Sequence, residues 1–293
     1  MVCARDQYRM DDLLKKADVA MYQAKSAGRN TARFFDPAMQ AAATEHAQME
    51  ADLRRAVAQS EFILHYQVQV DLAGRPTGVE ALVRWDQATR GLVPPSEFIG
   101  LAEETGIILP LGEWVLQTAC AQLALWAQHE SKQAWTMAVN VSASQFAQAG
   151  FVATVAAALQ DSGAPSHLLK LELTESMLLS DVEDVILKMN QVKALGVGFT
   201  LDDFGTGYSS LSYLKRLPLA QLKIDQSFVR DILTDPNDAM IARTIVALGH
   251  SLGLTVIAEG LETLDQRDLL AGMGCDAFQG YFFGRPVPVD RLA

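Results

Sequence analysis

From residue 62 onward the chain alternates short apolar runs with longer stretches of helical periodicity, and this alternation limits its possible folds more than any other feature. Apolar runs bounded by turn residues predict strands over 62–70 (FILHYQVQV), 78–85 (GVEALVRW), 136–141 (TMAVNV), 169–173 (LKLEL), 197–202 (VGFTLD), 220–224 (AQLKI), 254–258 (LTVIA) and 277–281 (AFQGY). From the second run onward the connections have helical spacing, as in LGEWVLQTACAQLALWAQ and DVEDVILKMNQVKALG. Strands and helices in this order predict an α/β protein, a TIM-like (β/α)8 barrel. One junction breaks the rule. Only DLAGRPT joins the first two strands, too short for a crossover helix, so they are expected to form an antiparallel hairpin and to give the barrel an antiparallel first strand.

The pattern changes near residue 40, which divides the chain into a leading piece, 1–40, and a main domain, 41–293. In the leading piece DDLLKKADVAMYQAKSAGRN sets Leu13, Leu14, Ala17, Ala20, Met21 and Ala24 on one helical face, with Gly28 as a stop, and TARFF reads as a short strand. The Ala- and Glu-rich stretch AMQAAATEHAQMEADLRRAVAQS then leads into the main domain as a helix. Arg5, Asp6 and Arg9 stand where a signal peptide would need an apolar segment. The longest charge-free tract, Gln133 to Gln160, is broken by Asn140, Ser142, Ser144, Gln145 and Gln148, short of the roughly 20 apolar residues that span a bilayer. No membrane span is therefore expected.

Composition narrows the partners. With 35 acidic against 24 basic residues the formal charge is −11, which disfavours a DNA or RNA polymer and an anionic membrane surface. Cys3, Cys120 and Cys275 are odd in number and lack metal-ligand spacing, so a reducing, cytoplasmic setting is expected.

The polar residues then fall into order. Glu80, Asn140, Glu172, Asp202, Lys223, Glu259 and Gln279 each lie in or at the C-terminal end of a different predicted strand, the face of a barrel that carries chemistry. The period of two points Glu80, Leu82 and Arg84 to one side of their strand, and Lys223 and Asp225 to one side of theirs. Carboxylates a few Å apart repel by several kcal/mol at an effective dielectric of about 20. They must be protonated, paired with cations or bound to metal. Oxygen donors without Cys or His suit Mg²⁺ or Mn²⁺. If Asp202 points inward and Asp203 turns in just past the strand end, the two could bridge a pair of ions about 4 Å apart, the arrangement that hydrolyses phosphate diesters.

The motifs EALVRW (Glu80 to Trp85), NVS (Asn140 to Ser142), ELTE (Glu172 to Glu175), DDFGTGYSSL (Asp202 to Leu211), KID (Lys223 to Asp225), AEGLE (Ala258 to Glu262) and QGYFFGRP (Gln279 to Pro286) together resemble the ordered motif set of EAL-domain cyclic di-GMP phosphodiesterases. The resemblance implies hydrolysis of cyclic di-GMP to linear pGpG by a water activated by two Mg²⁺ or Mn²⁺ ions. It implies Glu80, Asn140, Glu172, Asp202, Asp203 and Glu259 as metal ligands, with Asp202 bridging. It places Lys223 by the attacking water with Asp225 adjacent, and assigns Arg84, Leu82, Gln67 and Gln279 to the substrate. Glu175 is expected to tie down the loop that contains Gly205 and Gly207, and Glu262 to support the site. Ca²⁺ is expected to bind but inhibit, because it prefers longer bonds and looser coordination. The alternative is a degenerate receptor that binds cyclic di-GMP without cleaving it; no expected acid is missing here, which favours the enzyme.

Two residues depart from the family pattern, Val68 and Gly100 standing where it usually has Pro. Both bear on pocket shape rather than on metal ligation. The segment LLKKADVAMYQAKSAGRNTARFFDPAM resembles the C-terminal end of a GGDEF diguanylate cyclase domain without its active-site motif, so the chain reads as part of a longer protein and no cyclase activity is expected. By resemblance a homodimer is expected through SSLSYLKRL and the helix after the sixth strand. His65 and His250 lie outside the motifs and read as structural, and Tyr208 and Tyr281 as packing or loop anchors.

Overall fold

The computed structural model describes residues 10, 14–18, 20–21, 32, 34–175, 177, 182–205 and 211–292. Most of the segment resembling the end of a GGDEF domain lies outside this set. So does Gly207 with its neighbours at 206–210. The chain divides into two compact units, Met1–Ser60 and Glu61–Ala293. In the first, the helix Pro37–Gln59 begins where the Asp36 side chain accepts the Ala38 N–H at 2.9 Å and ends at Ser60 in the left-handed region.

The second unit is built on nine strands: β1 Phe62–Asp71, β2 Pro76–Gln87, β3 Gly91–Val93, β4 Thr136–Asn140, β5 Leu169–Thr174, β6 Gly198–Phe204, β7 Gln221–Ile224, β8 Thr255–Ala258 and β9 Ala277–Gln279. Their order is β1-β9-β8-β7-β6-β5-β4-β2-β3, and pairing of β1 with β2 closes the eight-stranded barrel. β1 runs antiparallel to both neighbours, with Gln67 opposite Glu80 and Gln69 opposite Gln279, while the remaining barrel pairs are parallel. The fold is the expected TIM-like barrel with a reversed first strand.

Outside the barrel lie the helices Pro95–Thr105, Ile108–Trp126, Phe151–Ser162, Val182–Ala194, Pro236–Ser251 and Leu264–Gly272. Residues of one parity on each strand face them: Val79, Ala81 and Trp85 on β2, Leu169, Leu171 and Leu173 on β5, and Phe199 and Leu201 on β6 are all buried. Trp85 packs against Phe62 and edge-on to Phe98, and its indole N–H donates to Glu61 Oε2 at 2.9 Å. Burying an aromatic of this kind contributes about 1.5–3 kcal/mol. The other parity points inward and carries the polar residues.

Two elements differ from the sequence reading. β3 was not expected; it continues β2 as a hairpin, where Gln87 Oε1 accepts the backbone N–H of Thr89 and of Arg90 (3.3 and 2.7 Å) and closes the turn. Between β6 and β7, where the connection was expected to have helical spacing, the described residues hold only the four-residue helix Leu211–Leu214. Among the described residues no helix is long and apolar enough to cross a membrane.

Candidate active site

Parity and closure bring the inward residues of the strands to one rim. Glu80 comes from β2, Asn140 from the end of β4, Glu172 from β5, Asp202 from β6, Lys223 from β7 and Gln279 from β9. Glu259 follows β8 directly, its N–H donating to Ile224 O at 3.2 Å so that it keeps the strand's register.

The Lys223 ammonium is the centre of this ring. It is fully buried, 2.7 Å from Glu172 Oε2 and 3.4 Å from both Glu80 Oε2 and Asp202 Oδ1, and it pairs with Glu259 as well. Burial alone would pull its pKa down, but the surrounding carboxylates, Glu172 first, hold it well above the usual lysine value. A single cation does not balance four acids. Burial and the charge of Glu80 push Glu172 well above the carboxylate range, and burial raises Asp202 and lifts Glu259 to about 8.

Glu80 is the exception, because donors surround it. Burial opposes its ionisation, yet Lys223 and the amides of Gln279 and Asn140 together lower its pKa. Asn140 Nδ2 donates to Glu80 Oε1 at 2.5 Å and Gln279 Nε2 to Glu80 Oε2 at 2.6 Å. The amides form a relay: Gln69 Nε2 donates to Gln279 Oε1 at 2.9 Å, Gln279 Nε2 also reaches Gln67 Oε1 at 3.0 Å, and Gln67 Nε2 donates to Gly284 O at 3.1 Å. Because Gln279 Oε1 already accepts from Gln69, its NH₂ must face Glu80. Gln69 was missed in the sequence, although the period of two from Gln67 points to it.

Asp202 and Asp203 reach the same site through a break in the strand. The β6–β7 register slips between Leu201 and Phe204, and Asp203 adopts φ 54°, a left-handed conformation costing a non-glycine residue about 1 kcal/mol or more. In a regular strand the two side chains would point to opposite faces. Here the Asp203 N–H donates to Asp202 Oδ1 at 2.9 Å and its carboxyl hydrogen-bonds Asp225. Burial, then Asp202 and Asp225, raises Asp203 to about 6. Asp225 also caps the helix Gln226–Arg230, accepting the Ser227 N–H at 3.0 Å. Just beyond, Glu175 Oε2 accepts the Gly205 N–H at 3.1 Å; a Cβ on Gly205 would stand 2.9 Å from Phe228.

Beside the ring opens a cavity of about 270 Å³ lined by Gln67, Leu82, Arg84, Glu262, Tyr281 and Pro286 among others. Arg84 is half-buried and donates to Val83 O at 2.8 Å, with Tyr281 and Glu80 offsetting part of the burial that lowers its pKa. Tyr281 stands at the rim, 51% exposed, with the Arg285 guanidinium 4.2 Å from its ring centre. The Glu262 N–H donates to Gln266 Oε1 at 2.8 Å.

Among the described residues no three carboxyl, imidazole or thiol groups are already arranged as metal ligands; the acids close on the Lys223 ammonium instead. The donor set nonetheless fits hard divalent cations. It is all oxygen, its acids other than Glu80 are raised by burial and then by their neighbours' charge, and Glu172 Oε1 is buried without a hydrogen-bond partner among the described residues.

Comparison with known proteins follows the same lines. The family model described as "EAL domain" matches residues 50–286. The bifunctional diguanylate cyclase/cyclic di-GMP phosphodiesterase MucR of Pseudomonas aeruginosa is 47% identical over 283 residues, covering 96% of this chain and 41% of that protein. The cyclic di-GMP phosphodiesterase NbdA of the same organism is 43% identical over 290 residues, covering 98% and 37%. The chain thus spans about two fifths of the length of these relatives. The solved PaMucR phosphodiesterase in complex with c-di-GMP superposes with a TM-score of 0.82 at 46% identity, over 84% of this chain and 100% of that one.

Proposed function

The chain belongs to the EAL domain family, and from that premise we propose that it hydrolyses cyclic di-GMP to linear 5′-pGpG in a reaction dependent on divalent metal. The observation that carries this reading is the ring of the buried Glu80, Glu172 and Asp202 and the part-exposed Glu259 around Lys223, opening on the cavity walled by Arg84.

Two Mg²⁺ or Mn²⁺ ions held by Glu80, Asn140, Glu172, Asp202, Asp203 and Glu259 would neutralise charge on the phosphodiester and acidify a water. The protein's own groups prepare the rest. The amide relay keeps Glu80 ionised and aimed inward. Arg84 offers a guanidinium suited to a phosphate oxygen, while Leu82, Gln67 and Gln279 shape the wall beside it. Lys223 Nζ orients the attacking water and holds a proton at the centre of the ring, with Asp225 beside it. Glu175 fixes the backbone after Asp203 through Gly205, and Glu262 lines the far wall of the cavity.

The partner is therefore the dinucleotide, and assembly as a homodimer through the segment around SSLSYLKRL belongs to the same reading. The segment LLKKADVAMYQAKSAGRNTARFFDPAM would be the tail of a GGDEF domain without activity of its own.

Chromatography of products after incubation with cyclic di-GMP tests the function. With Mg²⁺ or Mn²⁺, pGpG should accumulate. Tight binding without pGpG in either metal, at high protein concentration, would replace the enzyme by the receptor.

A further inference from the structure

The chain after β9 stays against the barrel, and its course beside the cavity is fixed from outside the proposed machinery. β9 pairs with β1 only from Gln69 opposite Gln279 to Asp71 opposite Ala277. A ladder continued from there would set Phe282 opposite Tyr66; Val287 stands there instead, five residues later, in an antiparallel bridge. The extra residues are looped out and pinched at the neck, where the Gly284 N–H donates to Gly280 O at 3.1 Å. The loop and the chain returning from it wall the cavity. Gly280, Tyr281 and Pro286 line it, and Gly284 O accepts from Gln67 Nε2 at 3.1 Å.

Two fastenings hold the returning chain. The first is the bridge itself, the Tyr66 N–H donating to Val287 O at 2.8 Å and the Val287 N–H to Tyr66 O at 3.1 Å. The second lies past the exposed turn Val289–Arg291, where Lys132 Nζ donates to Leu292 O at 2.8 Å. Two buried indoles steady this lysine, its ammonium standing 5.1 Å from the ring centre of Trp135 and 5.8 Å from that of Trp126. Trp126 in turn meets the Tyr66 ring edge-on with 5.3 Å between centres, so both fastenings rest on one aromatic cluster. A single bridge pair frays when the chain beyond it is loose. Beyond Val287 the exposed turn buries little, and among the described residues Lys132 makes the only side-chain hydrogen bond to that stretch.

We propose that Lys132 is a positioning residue for ligand binding: by clamping Leu292 it keeps the Val287 bridge closed and the looped-out wall preformed, so that the cavity takes cyclic di-GMP without first having to order that wall. This rests on the function proposed above. Order lost at the wall must be restored when the ligand binds, which weakens affinity. Turnover is spared, because Gln279 is held towards Glu80 by Gln69 and not by the wall.

Steady-state hydrolysis by the full chain in Mn²⁺ and calorimetry of cyclic di-GMP in Ca²⁺ test this. Lys132→Met should raise KM and weaken binding by about threefold or more, with kcat within about twofold of the parent. Lys132→Arg, which keeps a cation for the indoles and a donor for Leu292 O, should restore both. Parental KM and affinity in Lys132→Met, or a fall in kcat alone, would overturn the proposal. Amide hydrogen exchange reads the clamp without ligand. Lys132→Met should speed exchange at least about tenfold over 280–292 and leave β5 unchanged, with Lys132→Arg like the parent; unchanged exchange, or acceleration throughout the barrel, would overturn it as well. If the parent neither binds nor cleaves cyclic di-GMP while exchange responds locally, the proposed function fails and the clamp on the wall stands.

Discussion

At the scale of single residues, the site separates Glu80, supported by three donors, from acids that share the Lys223 ammonium. Glu80 has Asn140, Gln279 and Lys223; Glu172 has Lys223 at Oε2 and, among the described residues, a bare Oε1. Replacing a ligand should therefore spare the fold while removing the reaction. Asp202→Asn and Glu80→Ala should lower pGpG production by at least about a hundredfold, roughly 3 kcal/mol of transition-state stabilisation, with cooperative melting retained. Near parental turnover by folded Asp202→Asn would remove the two-ion assignment. A pH prediction follows from Glu259 and Asp203. Their carboxyls titrate near 4.5 and 3.8 when unfolded but near about 8 and about 6 when folded, so between pH 5 and 8 the folded protein binds more protons than the unfolded one. Stability must then fall as pH rises. Glu80, held low, contributes the opposite slope only below 4.5. Melting in chelator should show a midpoint that declines from pH 5 to 8, and saturating Mn²⁺ should flatten that decline; a rising midpoint in chelator would contradict the buried, raised acids.

At the scale of elements, the strands were legible because burial of one face imposes a period of two, and Glu80, Glu172, Asp202 and Lys223 occur in phase with it. What was not legible depends on local polar bonding without an apolar period, or on partners distant in sequence. The β3 hairpin is held by Gln87 side-chain bonds in a polar turn, which leaves no apolar period to read. The left-handed Asp203 was open as a possibility but not as a geometry, since Asp adopts that region more readily than most residues yet does so at few positions. Gly280 shows the same dependence on close approach. It follows β9 and packs so tightly on Leu261 that a Cβ would lie 2.2 Å from that residue's N and O, where Leu261 N–H meets Gln279 O and Phe282 N–H meets Leu261 O. Gly280→Ala must push this crossing apart and displace Gln279 from Glu80. It should cost about 1–3 kcal/mol or more, read as a lower melting midpoint, and should reduce hydrolysis beyond that loss of stability. Unchanged melting would show that the crossing is looser than its geometry.

At the scale of the whole molecule, a net charge of −11 makes cations the natural intermediaries for an anionic ligand. The choice of cation should then decide the outcome. Ca²⁺ accepts the same oxygens as Mg²⁺ but with longer bonds and looser coordination, and misplacing a reacting atom by about 1 Å can cost around a hundredfold. Calorimetry should find cyclic di-GMP bound in Ca²⁺, while chromatography finds pGpG only in Mg²⁺ or Mn²⁺; equal turnover in Ca²⁺ would remove the coordination argument. The reversed first strand has a consequence of another kind. In a barrel of uniformly parallel strands the polypeptide enters at the rim opposite the chemistry. Here Phe62 lies opposite Trp85, so the chain enters at the chemical rim, and five residues later Gln67 is already hydrogen-bonded within the amide relay beside Glu80. If the proposed function holds, a displacement of the entering chain would be passed along one short strand to the amides that aim Glu80, which would make the covalent joint itself a handle on the reaction.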